Sequence, residues 1–228
     1  IRIDGAWDAP VAANDVALAV ADDGNGNSVN PTRNVLPNDT DVDQGDSLLI
    51  TGIRFGTEAA GGPLDAVDPG TDNTNGTLIN GLYGQLIIGA DGNYTYVVDS
   101  SNPTVLALGP LQFLNERFTY QVTDLGGQND LAEIHIIIRG RNSAPVAGGD
   151  AATAVEAGGL NNSQSGIDPS GNVLGNDTDA EGDALNVSAI RTGGVADTGT
   201  GGTVGTVLRG LYGDLLINAD GSYTYTVD

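Results

Sequence analysis

Residues 76–99 (GTLINGLYGQLIIGADGNYTYVVD) are written a second time at residues 205–228 (GTVLRGLYGDLLINADGSYTYTVD), with sixteen of the 24 aligned positions identical. A chain that reuses one unit is read as a tandem array, in which each copy must solve the same packing problem. The repeat extends upstream. Asn38-Asp39-Thr40-Asp41 matches Asn176-Asp177-Thr178-Asp179, residues 48–54 (LLITGIR) match 185–191 (LNVSAIR), and residues 3–12 (IDGAWDAPVA) match 138–147 (IRGRNSAPVA). The offset shortens from 135 residues at the Ala-Pro pair to 129 at the Asp-Gly pair, which indicates loops of different length within one fold.

This alignment sets the expected domain boundaries. Residues 1–8 read as the last strand of a preceding repeat, 9–141 as one complete repeat and 142–228 as a second repeat lacking its last strands. What the second repeat lacks is a counterpart of 118–124 (FTYQVTD) and of 134–138, the two strongest strand patterns of the first. The chain starts at Ile1 rather than Met and reads as an excerpt of a longer protein.

Glycine is abundant, at 35 residues, and aromatics are few, so two small domains with thin cores are expected. With no Cys, disulfides cannot act as the staple, and a metal is the remaining common one. Thirty Asp and Glu stand against eight Arg and no Lys, a net charge of −22. Such a charge repels nucleic acid and anionic membranes and attracts divalent cations. Solubility is the plainer reading of the same charge. No apolar run approaches the length of a membrane span.

Period-two alternation dominates. Tyr94, Tyr96 and Val98 share one face of a strand, as do Phe118, Tyr120 and Val122, and Ile134, Ile136 and Ile138 alternate with Glu133, His135 and Ile137. Asp91-Gly92 between two such runs is a tight-turn signal, and Asp220-Gly221 repeats it. No helical stretch with caps stands out. The expected fold class is all-β, with tandem antiparallel β-sandwich domains of which the second is incomplete. Aromatics at this spacing read as core packing rather than as a sugar platform.

Two acidic clusters recur at equivalent places: Asp39, Asp41, Asp43 and Asp46 in the first repeat, and Asp177, Asp179, Glu181 and Asp183 in the second. Four acids within eight residues repel one another unless a cation sits among them. Calcium takes six to eight oxygens and tolerates irregular loops, whereas magnesium demands stricter octahedral geometry and zinc prefers Cys and His. The spacing is similar to an EF-hand loop, but the twelfth position carries Ser188 instead of the bidentate Glu, so a true EF-hand is rejected. A solvated acidic turn before a strand is the alternative. Asp22-Asp23-Gly24-Asn25-Gly26-Asn27 is a weaker candidate loop. Asp8, Asp15, Asp124 and Asp150 stand at expected strand ends near the repeat boundaries, where they could complete a junction site or simply serve turns.

Four segments in this order and spacing, Asp8-Ala9-Pro10-Val11-Ala12, Asn34-Val35-Leu36-Pro37-Asn38-Asp39-Thr40-Asp41, Ala90-Asp91-Gly92-Asn93-Tyr94-Thr95-Tyr96 and Phe118-Thr119-Tyr120-Gln121-Val122-Thr123-Asp124, resemble the VCBS and cadherin-like repeats of giant bacterial surface adhesins, many of which carry RTX sections. The resemblance spans essentially the whole chain. It implies an Ig- or cadherin-like sandwich, and a string of modules made rigid by calcium at or near their junctions. Carried over by position, the ligands are the eight acids of the two clusters. The second boundary, Arg141-Asn142-Ser143-Ala144-Pro145, has no Asp before Ala-Pro, and Asp124 or Asp150 would have to compensate.

The function expected is a non-catalytic structural extender of a secreted or cell-surface adhesin, stiffened by Ca2+ and contacting neighbouring repeats of its own chain. Two alternatives stay open: a matrix module that binds exopolysaccharide, and a filament subunit assembled with a like subunit by strand complementation. Trp7, the one Trp, reads as junction packing. Catalysis finds no support, since the single His135 lies mid-strand and no Gly-x-Ser-x-Gly elbow occurs.

Overall fold

The computed structural model describes residues 6–43 and 45–228, which divide into two compact units, Ile1–Asn142 and Ser143–Asp228. The strand expected over residues 1–8 falls mainly on residues 1–5, outside the described residues, and residues 6–8 belong to no strand.

The first unit is built from β1 (Asp15–Val20), β2 (Thr32–Asn34), β3 (Leu49–Phe55), β4 (Asp65–Ala66), β5 (Thr77–Asn80), β6 (Gly84–Ile88), β7 (Asn93–Val98), α1 (Pro103–Leu106), β8 (Phe113–Thr123) and β9 (Asn129–Arg139). Two sheets result, one of order β1-β9-β8-β3-β4 and one of order β2-β7-β6-β5. Successive side chains of a strand point to opposite faces, so the alternating apolar residues of each sheet share one side. Leu86, Ile88, Tyr94 and Tyr96 of one sheet, and Ile53, Phe118, Tyr120, Ile134 and Ile136 of the other, are almost wholly buried in one continuous core. Tyr96 and Phe118 meet edge to face across it, with ring centroids 6.2 Å apart. This all-β sandwich has the expected architecture.

The longest element is the β8–β9 hairpin, two strands of 11 residues paired from Phe113↔Arg139 to Thr123↔Asn129. It occupies the middle of the five-stranded sheet. β1 lies along its outer edge in parallel, from Asp15↔Ile134 to Val20↔Arg139. A parallel neighbour cannot come from a tight turn, and here it comes from the opposite end of the unit. The period-two runs announce the strands but not this pairing. The shorter β6–β7 hairpin turns where Asp91-Gly92 marks it: Asp91 Oδ1 accepts the Asn93 N–H at 2.9 Å, and Gly92 adopts φ +79°. The α-helical turn α1 follows β7, capped by Asn102 Oδ1 on the Thr104 N–H at 2.9 Å with Pro103 at its start. It is too short to carry a helical period in the sequence.

The second unit holds β10 (Ser170–Asn172), β11 (Ile190–Arg191), β12 (Gly201–Gly202), β13 (Val207–Arg209), β14 (Gly213–Ile217) and β15 (Ser222–Val227). Its four-stranded sheet has the order β10-β15-β14-β13, the topology of β2-β7-β6-β5. The isolated bridge Val11↔Thr40 of the first unit recurs as Val146↔Thr178.

Inside the first unit one buried acid ties the sheets together. Glu116 is 4% exposed, and its Oε2 accepts the N–H of Leu82 at 2.7 Å while its Oε1 accepts the Tyr96 hydroxyl. Removing the carboxylate orphans buried donors. Glu116→Ala is therefore expected to destabilise the first unit by about 2–4 kcal/mol, read from denaturant unfolding in EDTA.

Candidate metal centre

Asp41 and Asp46 belong to the loop that follows the Val11↔Thr40 bridge, and Asp124 follows β8 at the start of the turn into β9. The fold brings these three together: one carboxylate oxygen from each lies within 4.8 Å of the others. In each, Oδ1 is anchored by backbone. Asp41 Oδ1 accepts the Asp43 N–H at 2.7 Å, Asp46 Oδ1 the N–H groups of Ser47 at 2.6 Å and Leu125 at 3.0 Å, and Asp124 Oδ1 the Gln128 N–H at 2.7 Å. The remaining oxygen, Oδ2, is buried in all three and has no hydrogen-bond partner among the described residues. Asp124 is only 7% exposed.

Three clustered carboxylates, each with one buried and unpartnered oxygen, are unfavourable on two counts, desolvation and mutual repulsion. A hard dication at their centre relieves both. Calcium–oxygen distances of about 2.3–2.6 Å place opposed ligands about 5 Å apart, the scale of this cluster. The all-oxygen donor set suits calcium and not zinc.

The other candidate acids have different employment. Asp43 Oδ2 accepts the Asp8 N–H at 2.8 Å, and Asp39 Oδ1 accepts the Ala13 N–H at 2.7 Å. The second unit repeats both contacts. Glu181 accepts the Ser143 N–H at 3.1 Å and its hydroxyl at 2.9 Å, and Asp177 Oδ1 accepts the Gly148 N–H at 2.7 Å. The first and third acids of each cluster thus hold the segment entering the unit. Asp179 Oδ1 accepts the N–H groups of Glu181 and Asp183, both at 3.1 Å, as Asp41 does for Asp43. Asp183 and Asp150 are exposed, and the described residues of the second unit bring no three acids together. The Asp22–Asp23 loop bonds to itself, Asp22 Oδ1 accepting the N–H groups of Gly24 at 2.7 Å and Gly26 at 2.9 Å.

The entry segment also touches the Asp124 turn. A Cβ on Gly126 would lie 2.7 Å from the Trp7 indole, so only glycine lets the ring settle there, and the Gln128 side chain donates to the Trp7 carbonyl at 2.7 Å. Close by, Tyr120 places its hydroxyl 2.9 Å from the Ala13 carbonyl, 3.1 Å from Asp15 Oδ2 and 3.2 Å from Asp39 Oδ1. Asp130 completes this group by accepting the Ala12 N–H at 2.9 Å. Sequence spacing gave no signal for Asp130, which looks like one more exposed turn acid.

The family model for the bacterial cadherin-like domain matches residues 7–140 and again 142–228. No curated protein matches the chain. Among solved structures, the chain is similar to a nucleoside hydrolase-related hypothetical protein from Saccharophagus degradans that is associated with carbohydrate metabolism. The match has 15% identity and a TM-score of 0.30, and it covers 59% of this chain and 26% of that one. A likeness at that level carries no argument. Among the described residues no helix is long and apolar enough to cross a membrane.

Burial, followed by the nearby charge of Asp39, pushes the Asp15 carboxyl up from 3.8 to about 6, and burial raises Asp39 as well. The native state keeps a proton on Asp15 that the unfolded chain releases near pH 4. The stabilisation this proton gives is complete below that pH and is lost as pH rises through about 6. In EDTA, Asp15→Asn is expected to flatten the dependence of the melting temperature on pH between 4 and 7, and to unfold at a higher temperature than wild type at pH 7.5. An unchanged pH profile would remove Asp15 from that role.

Proposed function

Because the chain belongs to the bacterial cadherin-like domain family, whose members are generally non-enzymatic, we propose that it is a structural module of a bacterial surface or secreted adhesin, stiffened by calcium at Asp41, Asp46 and Asp124. The observation that carries this reading is the convergence of three carboxylates, each with a buried Oδ2 that no described residue satisfies. Asp41, Asp46 and Asp124 would hold the ion. Its chemistry there is electrostatic: it neutralises the cluster and cross-links the 41–46 loop to the 124–128 turn.

Both of those elements grip the segment that enters the unit. Asp43, in the loop, holds the Asp8 N–H, and the turn packs Gly126 and Gln128 against Trp7. Fixing loop and turn therefore fixes Trp7 and Asp8. In a string of repeats this is the segment that would meet the neighbouring module, so an ion bound there limits bending. The setting that suits such a module is the outside of a bacterial cell, where free calcium is abundant.

Anything that binds the native state alone stabilises it by roughly 2.7 kcal/mol at a hundredfold excess over Kd. Calcium is accordingly expected to raise the midpoint of the first unit by several degrees over EDTA, with magnesium much less effective. Asp124→Asn should abolish the rise, and Asp22→Asn should leave it intact. A calcium shift that survives Asp124→Asn would place the ion elsewhere.

A further inference from the structure

Two of the nine prolines follow an aspartate, Pro69 after Asp68 and Pro169 after Asp168. An Asp-Pro peptide bond is open to attack by its own side chain. The carboxyl reaches the main-chain carbonyl carbon of the same residue through a five-membered ring, so the attack is intramolecular. The proline nitrogen, a tertiary amide without a hydrogen, then leaves as a secondary amine. In an unfolded chain the two bonds are chemically alike. The fold treats them differently.

Asp68 and Pro69 are exposed in the loop between β4 and β5. With Gly70 and Thr71 they make a turn in which Pro69 is second and Gly70 third with φ +79°, the pattern of a type II turn. The turn is pinned at both ends. Val67, 4% exposed, donates its N–H to the Thr51 carbonyl at 3.1 Å, and the Thr71 carbonyl accepts the Asp91 N–H at 3.3 Å. The Thr71 hydroxyl accepts the N–H of buried Ala90 at 3.0 Å, which leaves its own hydrogen to be donated elsewhere. That hydrogen goes to the Asp68 carbonyl oxygen, 2.6 Å away. The carbonyl of the Asp68–Pro69 bond is therefore polarised by a donor already aimed at the oxygen on which charge develops during attack. The Asp68 carboxylate accepts no hydrogen bond from the described residues and is free to turn onto its own carbonyl carbon. Asp168 is in the opposite condition. Its Oδ1 is held by the Val227 N–H at 3.0 Å, and no donor among the described residues reaches its carbonyl.

We propose that the Asp68–Pro69 bond is a self-cleavage site, cut by the Asp68 carboxyl with the Thr71 hydroxyl as oxyanion donor. A carboxyl oxygen of Asp68 adds to the Asp68 carbonyl carbon and forms a C–O bond. The C–N bond to Pro69 breaks, the carboxyl proton passes to the proline nitrogen, and residue 68 is left as a cyclic anhydride. Water opens the anhydride to two free carboxyl groups. One peptide bond is hydrolysed and one water consumed, once per chain. The cut falls between β4 and β5, yet β1 stays paired with β9 and β3 with β8 across it. The nicked unit therefore holds together while folded and parts only on unfolding.

The test incubates the whole chain in the most acidic buffer in which far-UV circular dichroism shows it folded, beside the same chain in guanidinium chloride at the same pH, and follows the fragments by mass spectrometry. The folded chain is expected to give fragments 1–68 and 69–228 about tenfold faster than 1–168 and 169–228, the worth of one added hydrogen bond, and the unfolded chain to cut both bonds at similar rates. Thr71→Val should slow the cut after residue 68 about tenfold, and Thr71→Ser, which keeps the hydroxyl, should not. Asp68→Asn should abolish that cut and leave the slow one after residue 168. Equal rates at the two bonds in the folded chain, no cut after residue 68, or a cut there that survives Asp68→Asn overturns the proposal. A folded Thr71→Val chain that cuts at the wild-type rate refutes the oxyanion donor. Should Thr71→Val fail to fold, the comparison of folded with unfolded wild type still decides.

Discussion

The pairing of β8 with β9 is the interaction on which the first unit rests. It fills the centre of one sheet, gives β1 and β3 an edge each, and lays Phe118, Tyr120, Ile134 and Ile136 over the other sheet. Packing of one sheet against the other is where a sandwich gains its core, because neither sheet can bury its apolar face alone. Among the described residues of the second unit there is no such hairpin, the segments aligned with β1 and the first part of β3 are not in strands, and Tyr223 and Tyr225 are less deeply buried than Tyr94 and Tyr96.

The same hairpin assembles the carboxylate cluster. Its turn delivers Asp124 to a loop that contributes Asp41 and Asp46, and the Leu125 N–H to Asp46 Oδ1 contact joins turn and loop directly. Each carboxylate has one oxygen held by backbone and one left over. Backbone N–H groups thus orient each carboxylate of the cluster. Around it the remaining acids serve as fasteners. Asp39 and Asp43, like Asp177 and Glu181, receive backbone N–H groups of the incoming chain, a charge-assisted bond stronger than its neutral equivalent.

Much of this fold was legible in the residues. The repeat, the alternation at Tyr94 and Tyr96 and at Phe118 and Tyr120, and the Asp91-Gly92 turn mark strands and a hairpin by local rules. The parallel β1–β9 pair was not legible, because register between distant strands is decided by packing. The site was legible in part. The acidic clusters stood out by recurrence, yet spacing alone treats Asp39, Asp41, Asp43 and Asp46 as equals. Which of them keeps an unpartnered oxygen depends on which carboxylate oxygens find an N–H, and that requires Asp8, Ala13, Leu125 and Gln128 to be placed. Asp124 could be noted only as a strand-end acid until the fold set it beside the loop.

The most direct measurement is anomalous scattering from crystals of the chain grown with calcium and then exchanged to terbium. The account predicts a strong peak enclosed by Asp41, Asp46 and Asp124, within about 2.3–2.6 Å of their Oδ2 atoms. A structure in which those oxygens bind protein groups or water, with the cation at another site or at none, would contradict it.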